Sequence, residues 1–134
     1  MRAAAAAVLL VLAACGRETP EAQVRRAFDR AVAAVERGDA AGAAEALSPA
    51  FSGPEGLDRA SARLFLAARL RGSRIGVTVL GSRIQVEGRE AVQTVDVLLT
   101  GRGSGELLPG ESSRRTFVLR WEAREGTWRL RELV

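Results

Sequence analysis

The chain has 134 residues and a formal net charge of +4, with 20 arginines against 16 acidic residues and no lysine, histidine, asparagine or tyrosine. That length fits one domain, and 47% apolar residues describe a chain that folds. Missing histidine excludes Ser-His-Asp and Cys-His relays and His-ligated zinc, and missing lysine excludes Schiff-base and P-loop chemistry.

Met1 and Arg2 give a positive start, and Ala3 to Ala14 is an unbroken apolar run of twelve residues. As a helix that run spans about 18 Å, too short for a bilayer core of about 30 Å, so it reads as the apolar region of a signal peptide. It ends in Leu12-Ala13-Ala14-Cys15, which holds the only cysteine. A lone cysteine in an exported chain has no intramolecular disulfide partner. The tetrapeptide resembles the lipobox of bacterial lipoproteins, whose cysteine is acylated and becomes the first residue of the mature chain. The resemblance implies a signal peptide over residues 1–14, then a lipidated Cys15 and short tether over 15–19. It also implies a membrane attachment through acyl chains on Cys15. Gly16 follows the cysteine where many inner-membrane lipoproteins carry aspartate. The expected location is therefore the periplasmic side of the outer membrane in a Gram-negative cell, or the outer face of the plasma membrane in a Gram-positive one. The plainer alternative is a secretory peptide with an incidental cysteine.

The mature chain opens with a helix. Thr19 is a candidate N-cap, Pro20 suits the first helical position, and Glu21 complements the dipole. Val24, Phe28, Ala31, Val32 and Val35 share one face, and Gly38 is a natural stop. Asp39 can cap a second helix through Leu47, ended by Ser48-Pro49. Residues 52–56 are turn chemistry. A third helix is expected from Leu57 to Arg71, with Leu57, Ala60, Leu64, Ala67 and Ala68 on its stripe.

From Ile75 the period changes from helical to two. Ile75, Val77 and Val79 form a first strand, and Ile84 and Val86 a second. A third carries Ala91, Gln93, Val95, Val97 and Leu99 on one face. Residues 101–111 read as a long hairpin loop. In a fourth strand Phe117, Leu119, Trp121 and Ala123 point inward, with Thr116, Val118, Arg120, Glu122 and Arg124 opposite. A last strand carries Trp128 and Leu130. Helices followed by an antiparallel meander argue α+β, with N-terminal helices packed on a curved sheet over residues 20–134.

The Val24–Phe28–Val32 helix, Gly38-Asp39, Pro49-Ala50-Phe51, Val86-x-Gly88-x-x-Ala91 and Gly126-x-Trp128-x-Leu130 resemble, in that order, the nuclear-transport-factor-2-like superfamily. Its SnoaL-like members and its cystatin-like relatives share the α+β plan. The resemblance implies a cone whose sheet and long helix enclose an apolar pocket, and enzymatic members place His, Asp and Tyr inside it. This chain has neither His nor Tyr to place there. Asp96 and Glu122 fall on the opposite strand face and are expected to be solvated, so no catalytic residue, metal or cofactor is assigned.

Gln93 is the one polar residue on the inner face of its strand, and Arg115 shares the parity of Phe117 and Trp121. Phe28, Gln93, Arg115, Trp121 and Trp128 are the candidate lining of a pocket for a small apolar ligand. The plainer expectation pairs Gln93 with backbone, leaves Arg115 at a wet rim, and puts Phe28, Phe51, Phe65, Trp121 and Trp128 in the core. Residues 57–83 hold six arginines against Asp58, a net +5. Arg59 and Arg63, one turn apart, are candidates for contact with anionic head groups; the plainer reading is a solvated face. Nucleic acid is not expected, because no aromatics interleave with these arginines. The function expected is a non-catalytic envelope lipoprotein, either binding a small apolar ligand or acting as an accessory domain. Its alternatives are an interaction module whose partner is a second copy or an envelope protein, and last an isomerase- or dehydratase-like enzyme.

Overall fold

A computed structural model of the chain describes residues 18–103 and 112–134. The expected signal peptide, Cys15 and the first residues of the tether lie outside the described residues, as do residues 104–111 of the expected hairpin loop.

Helix α1, Pro20–Glu36, starts on the expected cap: Thr19 is extended and its hydroxyl accepts the Ala22 N–H at 3.1 Å. It ends in a Schellman motif. Gly38, at φ 74°, donates to Val35 O (3.0 Å), and Asp39 donates to Ala34 O (2.8 Å). Asp39 then caps helix α2, Ala40–Glu45, by accepting the Gly42 N–H at 2.8 Å.

Residues 47–52 are not the end of that helix and a turn. They form strand β1, Leu47–Ser52, paired in parallel with the last strand through Leu47 and Leu130. The Leu130 N–H donates to Ala46 O at 2.7 Å. Pro49 has no N–H to give, and it is tolerated because β1 is the outermost strand. A short 3-10 turn, Pro54–Gly56, leads to helix α3, Arg59–Leu70, capped by the Asp58 carboxylate on the Ser61 N–H at 2.8 Å.

Strands β2 (Ser73–Glu87), β3 (Glu90–Gly103), β4 (Ser112–Arg124) and β5 (Thr127–Leu133) complete a sheet in the order β1-β5-β4-β3-β2. All pairs are antiparallel except β1 with β5. The two short strands expected between 75 and 86 are one long strand. Val79 pairs with Val97 and Gly81 with Asp96, so Leu80 is the extra residue of a bulge. That bulge reverses the parity. Val77 and Val79 share a sheet face with Val97 and Leu99, and beyond it Ile84 and Val86 share the face of Gln93 and Ala91. Strand β3 likewise runs on to Gly103, into what the sequence reads as loop.

The core lies between α1 and the inner face of the sheet. It joins Val24 and Phe28 of α1 to Leu47, Phe51, Ile84, Ala91, Val95, Val97, Leu119, Trp121, Trp128 and Leu130. Truncating either tryptophan to Ala would cost roughly 3–5 kcal/mol. Helix α3 turns a different face inward from the one expected. Ala62 and Leu70 are buried, while Leu64 is 72% exposed. Phe65, expected in the core, is 48% exposed.

Candidate functional site

The inner face of the sheet carries one buried polar relay. Gln93 has no exposed surface, and Trp121 beside it keeps 2%. The Trp121 indole N–H donates to Gln93 Oε1 at 3.0 Å, and Gln93 Nε2 donates to Ser82 Oγ at 3.1 Å. The strand ladders set this up: Ala91 lies opposite Trp121, and Gln93 opposite both Leu119 and Ile84. An amide buried without partners would cost about 1–3 kcal/mol. Here both its ends are used, by side chains and not by backbone.

Phe28 and Trp128 belong to the same packed cluster. The Trp128 indole donates to Gln23 Oε1 at 3.0 Å, a bond between α1 and β5 that the sequence pattern did not single out. A polar residue one position before the apolar Val24 was the available signal. Arg115 is not brought to this group. It pairs with Val97 across the ladder, is exposed, and its guanidinium reaches Arg114 O at 3.4 Å.

The two carboxylates weighed as bases differ from each other. Asp96 accepts from the Thr116 hydroxyl and from Arg114 (3.3 Å), and its side chain is 36% exposed. The Thr116 hydrogen bond chiefly holds its carboxyl below the usual value near 3.8; burial opposes it, and Arg114 adds to the lowering. A carboxylate stabilised in its ionised form is a poor proton acceptor, the reverse of what a general base requires. Glu122, expected in solvent, is only 18% exposed. Ser48, fully buried, donates to Glu122 Oε1 at 2.6 Å and accepts the Ala50 N–H at 3.1 Å. Arg124 (3.3 Å) and Arg131 (3.9 Å) flank the same carboxylate, and Arg131 also reaches Ala50 O at 2.5 Å. The cause of the correction is β1: a strand absent from the expected fold covers Glu122 from the side. No three His, Cys, Asp or Glu side chains gather as a metal site among the described residues.

The grooves lie elsewhere. One of about 440 Å³ runs over the outer sheet face between Glu90, Arg120, Arg131 and Glu132. Another of about 490 Å³ lies where α1, α2 and β5 meet, beside Arg30, Arg37, Glu45 and Arg129. A shallower one, about 980 Å³, separates α2 from α3. It brings Arg59 and Arg63 together with Leu64, Ala41 and Pro49. Arg59 is half-buried, with Nε on Ala44 O at 3.4 Å, and Arg63 is exposed.

Charges divide the molecule unevenly. Arg25, Arg26, Arg37, Arg114, Arg120, Arg124 and Arg131 each lie beside a carboxylate. Among the described residues no carboxylate lies within 4.0 Å of any of the six arginines between 57 and 83.

No protein-family model matches the chain, and no curated protein matches it in sequence. Solved structures match it in shape. A nuclear-transport-factor-2-like protein from Cytophaga hutchinsonii superposes with a TM-score of 0.71 at 12% identity, over 87% of this chain and 96% of that one. A nuclear-transport-factor-2-like superfamily protein from Salmonella enterica gives 0.66 at 18% identity, over 84% and 87%. A protein of unknown function with a cystatin-like fold from Nostoc punctiforme gives 0.65 at 16% identity, over 83% and 85%. The fold is thus the α+β cone of the nuclear-transport-factor-2-like and cystatin-like proteins.

Proposed function

We propose that this cone-fold domain is a lipid-anchored, non-catalytic accessory module of the cell envelope, and that it works through its outer surface. The observation that carries this is the packing of the concave face. Gln93 and Val24 have no exposed surface, Val95 keeps 1% and Trp121 2%. The polar group that would orient a ligand is already engaged by Trp121 and Ser82. A ligand at this end would have to displace packed side chains, and each lost contact costs free energy in a core near crystal density.

The same chemistry supports a role without turnover. Glu122 is held by Ser48 and two arginines, and Asp96 is stabilised as the ion. The anchor rests on Leu12-Ala13-Ala14-Cys15 and the apolar run before it.

Native mass spectrometry of the domain purified from its host tests the packed cone. The expected mass is that of the mature chain with the acyl groups of Cys15 and nothing more; a further stoichiometric small molecule retained on it would restore the ligand-binding reading. Fractionation of Cys15→Ser tests the anchor, with transfer of the protein from membranes to the soluble envelope fraction as the expected result.

A further inference from the structure

Helix α3 has two apolar stripes and buries one. Ala62, Leu66 and Leu70, at i, i+4 and i+8, turn toward the body of the domain, whereas Ala60, Leu64 and Ala68 face outward with Phe65 beside them. Leu64 at 72% and Phe65 at 48% are large apolar groups left in water. Around them stand Arg63, Arg69 and Arg71, all exposed, and the Arg69 guanidinium lies 5.2 Å from the centre of the Phe65 ring. Elsewhere seven arginines sit beside carboxylates; here, among the described residues, none does. An apolar centre ringed by guanidinium groups, with no carboxylate of the described residues beside them, is complementary to a surface that is anionic outside and apolar just beneath.

We propose that the outward face of α3 docks on an anionic lipid bilayer, with the arginines on phosphate head groups and Leu64 and Phe65 entering the acyl boundary. The setting rests on the proposed anchor. From Cys15 to Pro20 the chain can span at most about 17 Å, so an anchored domain stays at the membrane. Confinement of that kind makes a contact of low affinity sufficient, because the surface is always at high effective concentration. The tether leaves from the start of α1, while α3 ends against Gly38 beyond its other end, about 25 Å away along the helix. Two contacts that far apart lay α1 along the bilayer and leave the outer face of the sheet free.

The test uses a chain beginning at Gly16, which lacks the cysteine but keeps every described contact. It is sedimented with phosphatidylcholine vesicles in which phosphatidylglycerol rises from none to about 40%. Binding is expected to rise with the anionic fraction and to fall with salt. Arg63→Ala with Arg69→Ala is expected to weaken it about 25-fold, near fivefold per arginine. Leu64→Ser with Phe65→Ser is expected to weaken it at least about tenfold while the thermal transition holds. Arg114→Ala with Arg120→Ala, an equal charge change on β4, is expected to cost less than about twofold. Binding indifferent to phosphatidylglycerol, or equal losses from the two arginine pairs, would overturn the proposal. So would background binding to every vesicle, the result expected if α3 instead met an acidic protein. Because the tested chain has no Cys15, any of these leaves the Cys15→Ser fractionation, and with it the anchor, to be judged separately.

Discussion

Trp121 gives its indole N–H to Gln93 Oε1 at 3.0 Å, inside a core where neither side chain keeps more than 2% of its surface. This pair decides between two uses of the concave face. In a ligand pocket Gln93 would be waiting for a partner, and Leu in its place would be neutral or stabilising to the empty protein. In a packed core the same change strands the indole N–H. Gln93→Leu is therefore expected to lose about 2 kcal/mol in urea unfolding. Gln93→Glu is expected to lose more at neutral pH and to recover as pH falls, because the buried carboxyl would fold only when protonated.

Ser48 and Glu122 are 74 positions apart and hold β1 against the sheet with Arg131. Removing the hydroxyl in Ser48→Ala leaves the carboxylate short of one donor and frees the Ala50 N–H. The expected cost is about 1–2 kcal/mol. Hydrogen exchange should place the loss locally: amides of residues 47–51 exchange faster while those of β3 and β4 do not. A cycle with Glu122→Gln is expected to show coupling of at least about 0.5 kcal/mol, which an unlinked surface pair would not.

The same strand marks where the sequence stops being informative. The caps of α1 and α2 were legible because each is local: Thr19 and Asp39 precede the N–H they bind by three residues. Asp58 stands at the same spacing from Ser61, but the helix read from Leu57 hid it as a cap. The faces of β3 and β4 were legible because alternation survives over many residues. Strand β1 was not, since Leu47 to Phe51 has no clean alternation and Pro49 ordinarily marks an end. Its reason to be a strand is β5, some eighty residues later. Glu122 was misplaced for that reason alone. Gln93 stood out as polar among apolar neighbours, but its partner Ser82 depended on a bulge at Leu80 that the sequence shows only as a possible turn.

Three aspartates set the acid limb of stability. Asp39 and Asp58 have lowered pKa values chiefly through the backbone N–H groups of Gly42 and Ser61, and Asp96 through the Thr116 hydroxyl. A carboxyl depressed in the folded state stabilises it above the unfolded value, near 3.8, and this is lost as pH falls through the lower folded value. Stability is thus expected to be flat near neutrality on this account and to decline below about pH 4. Asp58→Asn keeps an oxygen for the cap and removes the titration. It should flatten the acid limb in pH-dependent denaturation without unwinding α3, and an unchanged limb would place the acid sensitivity elsewhere.

The facing of α3 can be checked without lipid. The outward Leu64 predicts that Leu64→Gln changes stability by less than about 0.5 kcal/mol. Ala62, 7% exposed and packed in the core cluster, predicts the opposite: Ala62→Leu has no room for its extra methylenes and should cost about 1–3 kcal/mol. If the stripe suggested by Ala60, Leu64 and Ala68 were the buried one, the two results would exchange.

The β4–β5 hairpin, beside the start of α1 and not on α3, contains a correctable strain. Arg124 pairs with Thr127, so Glu125 and Gly126 alone make the turn, and both have positive φ, 52° and 77°. A two-residue turn with both central residues left-handed matches the twist of the strands, and Asn-Gly is its preferred sequence. Glycine bears that conformation freely, but glutamate meets a clash between its Cβ and the next carbonyl that asparagine tolerates better. Glu125→Asn is expected to gain about 0.5–1 kcal/mol, seen as a higher denaturant midpoint at constant slope. Gly126→Ala should lose about 1 kcal/mol or more, since alanine brings a Cβ to the same region. Neither change touches α3, so both should leave vesicle binding as it is. A Glu125→Asn protein that was stabler but bound lipid differently would mean that the turn, next to the start of α1, itself meets the membrane.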